Sequence, residues 1–123
     1  AYSLEREPHV VDEKEPDIRM RAPKTDASVP IEIKVAESWA LPELEAALTD
    51  QLIGRYLRAY NASHGLLLLV HQKARPRGWQ APDGHWLSFP EVVADLRGMA
   101  DAIAATAPDE PQCRIAVLDV SSL

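Results

Sequence analysis

The sequence predicts a mixed α/β domain, one central sheet with helices packed against it, and three observations carry that prediction. Ile18–Ala22 and Val29–Val35 alternate apolar and polar residues, the period of a strand with two unlike faces. Two longer stretches, one from Pro42 and one from Ser88, carry apolar residues at helical spacing. Leu66–Val70 and Cys113–Val120 are nearly continuous apolar runs, as in strands covered by helices. The order strand, strand, helix, strand, helix, strand lets the strands on either side of each helix run parallel. The chain has 123 residues, the size of one domain, so residues 1–123 are read as a single unit.

The first fifteen residues are charged, and His9–Val11 is their one candidate strand. In the next segment Ile18, Met20 and Ala22 share one side, and Asp17, Arg19 and Arg21 the other. Turn formers and two prolines follow, so these two alternating segments are expected to pair antiparallel. In the second, Ile31, Ile33 and Val35 oppose Glu32 and Lys34. Pro42 with Glu43 and Glu45 suits a first helical turn. Leu44, Leu48, Leu52 and Tyr56 then extend a helix to about Tyr60, and Gly65 provides its exit. Leu66–Val70 is expected to be a strand buried on both faces. A long basic loop rich in Pro and Gly follows. Ser88 and Glu91 then match a capping box, and Val92, Val93, Leu96, Met99, Ala100 and Ile103 form the inward face of the second helix. Pro108–Pro111 breaks the chain before the last strand.

Composition narrows the function classes. Hydrophobic residues make up 46 %, too many for a disordered chain. Cys113 is the only cysteine, which excludes an intrachain disulfide and a thiolate zinc site, and it reads as a small core residue. Neither a signal peptide nor a membrane-spanning stretch is visible, so a soluble, cytoplasmic protein that does not engage membranes is expected. The net charge of −6 opposes nucleic-acid binding by bulk electrostatics. Its distribution does not: Gln51–Pro82 contains no Asp or Glu but holds Arg55, Arg58, Lys73, Arg75 and Arg77. That stretch is either an uneven solvated surface or a local positive face for phosphates.

Glu32 and Lys34 admit two readings. One is a solvated strand face with an ion pair to Asp17 or Arg19. The other is a site. If the polar faces of the two alternating strands coincide, Asp17, Glu32 and Lys34 converge, and two carboxylates with the Ile33 carbonyl make a hard oxygen set suited to Mg²⁺, with Mn²⁺ as a substitute. A metal held there acidifies water and polarises a phosphate, and Lys34 beside it orients the nucleophile and offsets charge in the transition state.

Pro16-Asp17 followed by Glu32-Ile33-Lys34 resembles the PD-(D/E)XK nuclease superfamily, and the resemblance spans Pro16 to Val70. Gln51 adds to it, because in the branch that includes recombination exonucleases the following helix carries a Gln that faces the site and a Tyr four residues later. Here Arg55 holds that second position and Tyr56 comes one residue late. The resemblance implies a restriction endonuclease-like mixed sheet flanked by helices. It implies Mg²⁺-dependent hydrolysis of phosphodiesters in nucleic acid, with DNA the favoured substrate and RNA left open, and with Asp17, Glu32, Lys34 and Gln51 catalytic and Asp17, Glu32 and the Ile33 carbonyl on the metal. Arg55, Arg58, Lys73, Arg75 and Arg77 are the expected nucleic-acid contacts.

The family's first core helix, which often supplies a third acidic residue, is not found; Glu5, Glu7, Glu13 and Glu15 qualify by type only. The chain is therefore expected to be a module of a longer restriction, repair or anti-phage defence protein, with a fused or associated sensor and with homo-oligomerisation open to it. The alternative is a nuclease-like module that binds nucleic acid or a partner protein without cutting. Elsewhere, Trp79 and Trp86 are expected to anchor the basic loop to the core, with base stacking as the other reading. His64 is read as a turn residue, His9 and His85 as incidental, and Asp119 as a strand-end polar group. His71, directly after the buried strand, stands out a little from these.

Overall fold

The computed structural model describes residues 3–6, 18–21, 28–57, 63–106 and 112–123. Among them, five strands form one sheet in the order β1 (Ser3–Arg6), β2 (Ile18–Arg21), β3 (Ser28–Val35), β4 (His64–His71) and β7 (Gln112–Asp119). The first three run antiparallel, and β3, β4 and β7 run parallel. A separate two-stranded hairpin, β5 (Trp79–Gln80) with β6 (Trp86–Leu87), leads into α2 (Phe89–Thr106). The fold is thus mixed α/β, as the alternation and the helical spacing predict. The β1 strand lies at Ser3–Arg6, and the expected strand at His9–Val11 falls outside the described residues.

The first helix differs from its prediction. It begins as α1 (Leu41–Ala46), with Pro42 in the first turn and the Ala40 N–H donating to Glu43 Oε1 at 3.1 Å. From Ala47 to Leu57 it continues as a π-helix. Segments of this kind are uncommon, short and frequently found at functional sites. The wider turn keeps Leu48, Leu52 and Ile53 buried together against the sheet. The second helix starts as predicted: the Glu91 N–H donates to Ser88 Oγ at 3.3 Å and the Ser88 N–H to Glu91 Oε1 at 3.0 Å.

The register fixes which strand residues share a face. Glu32 pairs with Leu67, and Leu67 with Ile115; Lys34 pairs with Leu69. Leu67, Leu69 and Ile115 belong to one core cluster with Leu44, Leu48 and Leu52 from the first helix and Val92, Val93 and Leu96 from α2. Both helices therefore cover the face that carries Glu32 and Lys34, while Ile33, Val35, Leu66, Leu68 and Val70 are half-buried on the opposite face. The expectation that β4 is buried on both faces is corrected accordingly. Its alternation in burial arises because the described helices pack on one side only.

Candidate functional site

Glu32 is only 4 % exposed. Its Oε1 lies 3.5 Å from Lys34 Nζ, and the Lys34 side chain is itself 14 % exposed. The reading of a solvated strand face is thus replaced by a buried ion pair, because alternation decides which residues emerge together but not which side the helices cover. Lys34 has a second neighbour: its ammonium lies 4.4 Å from the Trp39 ring centroid. A carboxylate and an indole face thus hold the lysine from two directions.

Gln51 is half-buried in the π-helix, and its buried Oε1 has no hydrogen-bond partner among the described residues. Buried polar atoms are satisfied in the large majority of cases, so an exception inside a helix packed on the β3–β4 face calls for an explanation. Asp17 and Arg58 lie outside the described residues, as do the acidic candidates Glu7, Glu13 and Glu15. Arg55 is placed in the π-helix by its backbone. Among the described residues no group of three or more His, Cys, Asp or Glu is arranged to hold a metal ion. Glu32, the Ile33 carbonyl and the Gln51 amide are all oxygen donors, which is the chemistry Mg²⁺ takes.

The basic loop residues divide by environment. Arg75 is turned inward: Nε donates to the Gly78 carbonyl at 2.7 Å, and Nη1 to the carbonyls of Trp39 at 2.6 Å and Glu37 at 3.3 Å. Its expected contact with nucleic acid gives way to a structural role, since three of these rigidly forked donors are spent on backbone. Lys73 and Arg77 remain exposed. Trp79 anchors the loop as expected, with Nε1 donating to the carbonyls of Ala36 at 3.1 Å and Trp39 at 3.0 Å. Trp86 does not anchor the loop; it is 40 % exposed, and Arg77 lies over its ring at 4.5 Å.

A second polar cluster closes the ends of β3 and β4. His71 is 6 % exposed, stacks on Phe89 and places Nδ1 3.1 Å from Glu37 Oε1. Glu37 also accepts the backbone N–H groups of Gln72 and Lys73. Burial alone would raise the Glu37 carboxyl, but these hydrogen bonds outweigh it and hold the group below its ordinary value of 4.5. Sequence reasoning passed over Glu37, whose only signal is an acidic residue in the turn after the Glu-X-Lys strand. Cys113 packs against the core, and burial pushes its thiol up to about 12, as befits an inert core cysteine.

On this face, then, a buried Glu–Lys pair, an indole and an unsatisfied amide oxygen stand on β3 and on the elements that follow it. No described helix is long and apolar enough to cross a membrane. Comparison of the chain with protein-family models, with curated proteins and with solved structures finds no match.

Proposed function

We propose that the domain is a Mg²⁺-dependent nuclease of PD-(D/E)XK type, with a restriction endonuclease-like core, hydrolysing phosphodiester bonds in DNA. The observation that carries this reading is the Glu32–Lys34 pair, turned together onto the helix-covered face and largely removed from water. Desolvating such a pair costs several kcal/mol per ion, and apolar residues at the same positions are often as stable or more so. A pair retained at that cost is better explained by chemistry than by stability.

In this reading Asp17, Glu32 and the Ile33 carbonyl hold the metal. Ile18 pairs with Ile31, and Asp17 and Glu32 are the residues one step outward in sequence from that pair. A Mg²⁺ ion held by these residues would supply Lewis acidity, lowering the pKa of a bound water and polarising a phosphate oxygen. Lys34 orients the attacking water and offsets the negative charge that builds on the phosphate oxygens. The Gln51 amide accepts a hydrogen bond from Lys34 or from that water, which would satisfy its buried oxygen. Lys73 and Arg77 supply exposed cations for the strand, with Arg55 in the preceding helix and Arg58, three residues on in the sequence, as further candidates.

One observation favours a second reading, a nuclease-like module that binds nucleic acid or a partner protein without cutting. Lys34 already stands 3.5 Å from Glu32, so a protein cation partly offsets the charge a metal would use. Cleavage of DNA assayed with Mg²⁺ and with EDTA decides between the two, followed by Asp17→Asn and Lys34→Ala. The nuclease reading expects metal-dependent cleavage that falls at least a hundredfold in both variants. Wild-type rates in folded variants would remove these residues from the site. Failure of the intact chain to bind Mg²⁺ or Mn²⁺ in a titration would select the binding module.

A further inference from the structure

We propose that the β5–β6 hairpin is a stacking platform for single-stranded nucleic acid, on which Trp86 receives a base while Arg77 and Lys73 meet the phosphates. The inference deepens the nuclease reading and rests on it for the identity of the strand's destination.

The hairpin has two unlike faces because directly paired residues of an antiparallel ladder share a side. Trp79 pairs with Leu87, and Gln80 with Trp86. Trp79 is in the core and Leu87 packs against it, so Gln80 and Trp86 face outward. The inner face is fixed in place. Trp79 Nε1 and Arg75 grip the Trp39 carbonyl, Arg75 also holds the Gly78 carbonyl, and β6 runs straight into the capped start of α2. Gly78 has φ +74°, and a Cβ there would stand 2.0 Å from the Leu87 carbonyl oxygen, so the two arms of the hairpin meet too closely for any side chain. The outer face therefore stands on a rigid base.

On that face Trp86 is the exposed aromatic among the described residues. Arg77 lies over its ring and has no carboxylate partner among the described residues. The one acid in the turn, Asp83, is engaged by His85 through both the backbone N–H and the ring Nδ1. Lys73 stands exposed at the other end of the same loop, and the whole run Gln51–Pro82 lacks Asp and Glu. A partly exposed indole flanked by cations that have no carboxylate partner among the described residues fits a strand whose bases are unstacked, because every base offers a π-face and every linkage a phosphate. A paired duplex hides those faces. A protein partner would need acidic residues to match the cations, but the single strand supplies charge and aromatic surface together. The platform also adjoins the candidate site: Trp39, whose carbonyl holds the hairpin's base, carries Lys34 over its ring.

The test is fluorescence anisotropy with the full chain in EDTA and a labelled oligodeoxythymidylate of about 12 nucleotides, a length within the usual site size. Trp86→Ala is expected to weaken binding about tenfold, and Trp86→Phe to retain most of it. Arg77→Ala is expected to weaken binding and to lower the slope of log K against log salt by about 0.7, one single-strand phosphate contact. A blunt duplex of the same length is expected to bind more weakly than the single strand. The proposal is overturned if both alanine variants bind like wild type, if the duplex binds as tightly as the single strand, or if the wild-type chain binds no oligonucleotide. Because the assay excludes metal, Trp86-dependent binding without any cleavage in Mg²⁺ removes the nuclease reading and keeps the platform. Cleavage with Trp86-independent binding removes the platform alone.

Discussion

The Lys34 ammonium lies 4.4 Å from the centroid of the Trp39 ring and 3.5 Å from Glu32 Oε1, so one lysine is shared between a carboxylate and an indole face. If Lys34 positions the attacking water, Trp39 positions Lys34. Trp39→Leu is expected to lower kcat for DNA cleavage about tenfold at unchanged KM, with Trp39→Phe restoring most of the loss, since a cation over an aromatic ring contributes ~0.5–2 kcal/mol. The carbonyl of Trp39 keeps its bonds to Arg75 and Trp79 in either variant. Equal rates for the leucine variant and wild type would remove the indole from the mechanism.

Gln51 separates function from stability. Its buried Oε1 has no partner among the described residues, so Gln51→Met exchanges an unsatisfied polar group for an apolar one of similar length. Chemical denaturation is expected to show the variant more stable by about 1 kcal/mol, while cleavage falls at least tenfold. A variant that loses stability would mean that the amide is satisfied in solution and has a structural role.

Glu45 and Asp95 connect α1 and α2 and give the fold a pH dependence. The Glu45 carboxyl is pushed up from 4.5 to about 7 by burial first, then by its hydrogen bond to Asp95 and by the negative charge there. The folded state therefore holds a proton that the unfolded chain releases near 4.5. This group's contribution is fully present below that value and is lost as pH rises through about 7. Glu45→Gln is expected to flatten the decline in stability between these pH values. It should also stabilise the protein by about 1 kcal/mol at pH 8, a figure that already allows for solvent screening of a partly exposed group. Thermal melts of both proteins from pH 4 to pH 8 measure this, and parallel profiles would contradict it.

Gly78 cannot be replaced without moving the hairpin. With φ at +74° and the Leu87 carbonyl oxygen 2.0 Å from any Cβ, Gly78→Ala is expected to cost about 2 kcal/mol or more. Gly84 also has a positive φ, but a Cβ there meets nothing within 4 Å, so Gly84→Ala carries the backbone penalty alone and is expected to cost about 1 kcal/mol. Differential scanning calorimetry of the two variants tests the ranking.

The elements of the fold that are local in origin were legible in the sequence. Proline at 42 and the Ser88–Glu91 box mark helix starts because each acts within a single turn. The alternation of Ile31, Ile33 and Val35 with Glu32 and Lys34 marks a strand because its side chains project with period two. The same alternation shows that Glu32 and Lys34 emerge together, which is all that period two can say about a site.

What remained was decided by packing between segments distant in the chain. Register with Leu67 and Leu69 put Glu32 and Lys34 under the helices, turning an apparently wet face into a buried one. The π-helix has no local signature, since the same residues fit an α-helix by spacing, and its wider turn shows only where Leu48, Leu52 and Ile53 settle on the sheet. Arg75 and Arg77 are two residues apart and alike in sequence, yet one is spent on backbone carbonyls and the other lies over an exposed indole. The sequence by itself determined which groups are present and how they alternate. Only the tertiary structure decided which of them leave water, because desolvation depends on what packs above a residue and not on its neighbours in the chain.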